Sequence, residues 1–91
     1  MRDRQFIIDS IKMDLYRIVT ASGNINKILP KQSIVEFIEH AEQDFEKVKL
    51  TEREIILREQ LKNLQKQLAN IKDPFTRLRW TEDILTIRCR L

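Results

Sequence analysis

One glycine and two prolines among 91 residues leave few places where the chain can reverse sharply. A β-sandwich or barrel needs a turn signal roughly every 8–12 residues, so this scarcity points to a few long helices joined by tight connectors. With 42% hydrophobic and 34% charged residues the chain is too apolar for a disordered tail. Its first apolar stretch is broken by Asp9, Lys12, Asp14 and Arg17, which fits neither a signal h-region nor a membrane span. The expectation is one soluble cytoplasmic domain, 1–91, small enough that a partner subunit would matter to its stability.

Helical periodicity locates the elements. Over 4–22, Ile7, Ile11, Leu15, Ile18 and Ser22 share one face, widened by Ile8 and Val19, while Phe6 and Met13 lie on nearly the opposite side. Gly23-Asn24 reads as a left-handed helix stop. Ser33 and Glu36 read as a capping box opening a second helix over 33–49, with Ile34, Ile38, Ala41, Phe45 and Val48 as its seam. Its other side carries Glu36, Glu39, Glu42, Asp44 and Glu46. A second box, Thr51 and Glu54, with Leu50 and Ile55 as a hydrophobic staple, opens a third helix over 51–72. There Leu57, Leu61, Leu64, Leu68 and Ile71 repeat at alternating spacings of four and three.

On one continuous helix the second and third seams would face opposite ways. A break near 49–51 lets them form a hairpin, the alternative being one long helix shared between subunits. Asp73-Pro74 then restarts a helix over 74–87, with Asp as N-cap and Pro in the first helical position. This segment is two-faced, with Phe75, Leu78, Leu85 and Cys89 on one side and Trp80, Ile84, Ile87 and Leu91 on the other. The alternation of Leu85, Ile87, Cys89 and Leu91 also fits a strand, which would need a mate across a dimer. The reading adopted is an all-α domain of four helices forming a hairpin or bundle.

Catalytic chemistry finds little footing. A single glycine excludes both phosphate-cradling loops, G-x-x-x-x-G-K and G-x-G-x-x-G. The one histidine, His40, has Glu36 and Asp44 four residues away on either side, but the wheel puts it about 120° from the apolar seam, which reads as solvent-exposed. The E-x-x-H spacing of di-iron bundles is absent, and neither a metal nor another cofactor is expected. Ser10, Ser22 and Ser33 stand at no suggestive distance from a base. Cys89 is the only thiol, so an intrachain disulfide is impossible and a reducing compartment is expected.

Charge separates along the chain: six Lys and Arg against seven acids in 1–45 give −1, and eleven against seven in 46–91 give +4. Two interaction classes follow. Surplus apolar residues favour a non-catalytic protein–protein interaction or regulatory module, a homodimer buried mainly through the terminal segment and helix one. Its candidate self-association or partner interface comprises Phe6, Met13, Leu57, Leu61, Leu64, Leu68, Trp80, Ile84 and Ile87. A parallel zipper on the leucine seam is disfavoured, because its flanks are Arg53, Gln60, Gln67, Arg58, Gln65 and Lys72 and offer no opposite-charge pairs. The alternative is a nucleic-acid-binding regulator using Lys66, Lys72, Arg77, Arg79, Arg88 and Arg90, with Trp80 stacking a base. A helix-turn-helix aligned on Gly23 fails, because Val19 occupies the small-residue position and Pro30 falls within the recognition helix. No membrane partner and no small-molecule substrate are indicated.

Overall fold

A computed structural model describes residues 3–91, in which four helices follow one another: α1 (Arg4–Gly23), α2 (Lys31–Glu46), α3 (Glu52–Gln67) and α4 (Pro74–Arg90). Cross-helix bonds fix their directions. Asp14 meets His40 and Ser10 meets Asp44, so α1 and α2 run antiparallel. Glu46 pairs with Arg58, Leu64 with Trp80 and Ser22 with Thr81, which makes every successive pair antiparallel and brings α4 back beside α1. The result is an up-down-up-down four-helix bundle, 41 Å long.

The seams close on a single core. Ile7, Ile8, Ile11, Leu15 and Ile18 from α1 pack with Ile34, Ile38, Ala41 and Phe45 from α2, and with Leu57, Leu61 and Leu64 from α3. Leu68 and Ile71 follow from the connector, and α4 contributes Trp80, Ile84 and Ile87. Each such side chain removed from water contributes on the order of 1.5–3 kcal/mol before entropy is charged against it. Acidic α2 faces basic α3, with Arg58 bonding Glu46 at 3.3 Å, so the hairpin satisfies seam and charge together.

Two of the expected caps form as read. Thr51 Oγ1 accepts from the Glu54 N–H at 3.2 Å while Glu54 accepts from the Thr51 N–H at 2.9 Å. Asp73 accepts from the Thr76 N–H and hydroxyl, each at 2.8 Å, with Pro74 in the first turn. At the first helix, Asp3 caps through the Phe6 N–H.

Other boundaries differ. α2 begins three residues earlier than the Ser33 box implies, with Pro30 as N-cap and no side-chain cap, because Pro30 itself supplies the restricted backbone that starts the helix. It ends at Glu46, and α3 ends at Gln67 in a 3-10 turn, Leu68–Asn70, not at 72. Gly23 is the last residue of α1 and is not left-handed, so its role as a glycine stop is corrected. The terminal segment is helical through Arg90; no strand occurs among the described residues, and the two-faced pattern resolves with Trp80, Ile84 and Ile87 inside. Ile55, the expected staple partner of Leu50, is 48% exposed.

Candidate functional site

Four groups remain after the core is closed: an exposed apolar face on α1 and α4, a buried arginine between them, a polar cluster between α1 and α2, and a groove between α3 and α4. The first follows directly from the two-sided pattern of α4. With Trp80, Ile84 and Ile87 inward, the opposite side turns out Phe75 (74% exposed), Leu78 (41%) and Leu85 (42%), and Cys89 is exposed beyond them. Glu82 completes the 3-4-3-4 spacing of this stripe. A shallow depression of about 420 Å³ lies on it, lined by Phe75, Leu78, Arg79, Glu82 and Asp83.

α1 adds Phe6, Met13 and Tyr16, each about half exposed. Arg88 joins the two helices: its Nε–H donates to the Lys12 carbonyl at 3.2 Å and its guanidinium lies 5.6 Å from the centre of the Tyr16 ring. Leu85 is three residues before Arg88 and therefore its neighbour on α4, which places it on the side of α4 nearest Tyr16.

Seven of the residues assigned to an interface from the sequence lie elsewhere. Leu57, Leu61, Leu64, Leu68, Trp80, Ile84 and Ile87 are all 6% exposed or less, because they fill the chain's own core. Only Phe6 and Met13 of that group face outward. Trp80 is unavailable for base stacking, since its indole N–H donates to the Leu64 carbonyl at 2.7 Å inside the bundle.

The basic set is likewise divided. Lys66, Lys72, Arg79 and Arg90 are exposed. Arg77 is 7% exposed and donates from Nε to Ser22 O at 2.7 Å, from Nη1 to Lys27 O at 2.6 Å and from Nη2 to Asn24 O at 2.8 Å. These carbonyls belong to the end of α1 and its connector, where a helix leaves acceptors unsatisfied and a cation is favourable. Arg77 is thus the C-terminal cap of α1, not a phosphate contact, and Arg88 is engaged with α1. Beside it the Ser22 hydroxyl donates to Thr81 Oγ1 at 2.7 Å, and Thr81 in turn donates to Arg77 O at 2.9 Å.

The polar cluster was not legible as such. Asp14 and Asp44 are each 2% exposed, although Asp44 reads as part of α2's outer acidic side. His40 Nδ1–H donates to Asp14 Oδ2 at 2.5 Å and stands 3.7 Å from Asp44 Oδ2, so its partner is Asp14 from the next helix and not Glu36. Burial pushes the Asp44 carboxyl up, but hydrogen bonds from Lys47 and Ser10, aided by His40, outweigh it and hold the group below its ordinary range.

The groove, about 350 Å³, is lined by Gln60, Asn63, Leu64, Gln67, Asp83, Thr86, Ile87 and Arg90. Half of its polar lining is amide, from Gln60, Asn63 and Gln67, and the rest is Asp83, Thr86 and Arg90, with no nucleophile paired to a histidine or other base. Compared with known proteins, the chain matches no family model, and no curated protein or solved structure shows significant similarity to it.

Proposed function

We propose that the chain is a non-catalytic helical protein–protein interaction or regulatory module that forms a homodimer through the outer face of α1 and α4. The observation that supports this reading is the heptad-spaced stripe Phe75, Leu78 and Leu85, left outside a bundle whose own core is already complete. Met13 and Tyr16 are exposed on α1, and Tyr16 meets α4 through Arg88 one turn from Leu85, which supports a face that takes in both antiparallel helices. Surfaces of that kind mark association sites on soluble domains, and a two-fold axis would pair the strip with itself. No helix among the described residues is long and apolar enough to cross a membrane, and the exposed Cys89 thiol suits a reducing cytoplasm.

Sedimentation equilibrium at micromolar concentration tests the reading. The wild type is expected to sediment as a dimer, and Leu78→Glu with Leu85→Glu as a monomer of unchanged helicity. A wild-type chain that sediments only as an 11.0 kDa monomer would overturn it.

A further inference from the structure

The cluster between α1 and α2 plays no part in that face, yet it gathers the donors a transition metal uses. One ligand atom from each of Asp14, His40 and Asp44 lies within 4.8 Å of the others. On a tetrahedral cation with bonds of about 2.0–2.2 Å, ligand atoms stand about 3.4 Å apart. The present separations of 2.5 and 3.7 Å from His40 Nδ1 to the two Oδ2 atoms bracket that value. The third separation, between the two carboxylates, is also within 4.8 Å, so the three donors converge on one point between α1 and α2.

The surroundings orient the carboxylates for this. Arg17 holds Asp14 Oδ1 at 3.2 Å and Lys47 holds Asp44 Oδ1 at 3.0 Å, so the outer oxygens are occupied while both Oδ2 atoms turn toward the imidazole. Ser10 Oγ donates to Asp44 Oδ2 at 2.8 Å and completes a second set of contacts around the donors. The side chains of both aspartates are 3% exposed, whereas that of His40 is 54% exposed, which leaves an approach from solvent and room for water in a fourth position. A surface ion pair would need neither this burial of two carboxylates nor their convergence on an imidazole from separate helices.

We propose that Asp14, His40 and Asp44 form a three-ligand site for a divalent cation of the zinc class, clipping α1 to α2. One imidazole nitrogen with two carboxylate oxygens is a borderline donor set that favours zinc over calcium or magnesium, which need more oxygen ligands. Binding at Nδ1 takes the neutral imidazole in its other tautomer, so the proton that His40 Nδ1 shares with Asp14 passes to Nε2 of the half-exposed ring. Arg17 and Lys47, on half-exposed side chains, remain with the outer oxygens or swing into water.

The test is calorimetric titration of the metal-free full chain with zinc ion alone, with cobalt(II) as a spectroscopic probe. One zinc per chain is expected, with a raised thermal midpoint and the visible bands of four-coordinate cobalt. His40→Ala removes an exposed ring and leaves the core intact; it should weaken binding by about tenfold or more and abolish the rise in midpoint. Asp14→Asn, checked for retained helicity, should act in the same direction. Absence of binding, full affinity in His40→Ala, or one zinc per two chains would each overturn the site. None of these readouts depends on whether the outer face of α1 and α4 forms a dimer.

Discussion

Replacing Arg77 by alanine removes the side chain that caps the C-terminal end of α1 from α4. Three charge-assisted hydrogen bonds are lost, each with a net contribution of about 1.5–3 kcal/mol. They are not additive: the bond to Ser22 O is buried, whereas those to Asn24 and Lys27 are partly buried and water replaces some of their strength. The expected loss is therefore about 3–5 kcal/mol, a large share of the roughly 5–14 kcal/mol available to a domain of this length. With about 4–8 °C per kcal/mol for a domain of this size, the midpoint should fall by at least about 12 °C. The urea midpoint should move down by about 1 M or more. The assay is far-UV circular dichroism during thermal and urea unfolding, with Arg79→Ala as an exposed control expected within about 0.5 kcal/mol of wild type. Arg77→Lys supplies one point charge in place of a fork and should recover only part of the loss. An Arg77→Ala variant within about 1 kcal/mol of wild type would refute the capping argument and return this residue to the surface cations.

Two further outcomes follow. Gly23→Ala should stabilise the chain by about 0.5–1 kcal/mol, because Gly23 has helical backbone and an added Cβ meets Thr81 Cγ2 at an ordinary 3.8 Å; a left-handed glycine would instead make the variant less stable in the same unfolding assay. Burial pushes the Glu54 carboxyl up, but hydrogen bonds from Arg4 and Thr51 more than compensate and hold it below its ordinary range. Its contribution is therefore present above the usual glutamate range, near pH 4, and is lost as the pH falls through the lower native value. Glu54→Gln should cost about 1 kcal/mol at neutral pH and flatten that acid limb in urea titrations between about pH 2 and 5, and an unchanged slope would count against the assignment.

Much of the fold was legible because helix seams and caps are local. The apolar stripes of the first three helices, the capping box at Thr51 and the Asp73 N-cap with Pro74 rest on spacings that any helix must obey, and they reappear in the bundle, whereas the Ser33 box does not. Three polar residues were missed although the same spacing contained them. Arg77, Trp80, Ile84, Ile87 and Leu91 run at 3-4-3-4 intervals, which puts Arg77 on the buried face of α4. Asp14 stands between Ile11 and Ile18 at three and four residues, and Asp44 likewise between Ala41 and Val48. Charge suggested solvent for each of them; position on the stripe indicated the interior, where backbone carbonyls or an imidazole from another helix receive them.

The sequence by itself determined that the chain is all-helical, where three of its helices bury their seams, and that an acidic helix should pack on a basic one. Those properties depend on residues a few positions apart. Tertiary structure alone decided which of α4's two apolar faces enters the core, since both satisfy the helical period and only the space left by the other three helices distinguishes them. The same choice placed Trp80 and Arg77 inside, turned Phe75, Leu78 and Leu85 outward, and brought Asp14 to His40 across 26 residues of sequence.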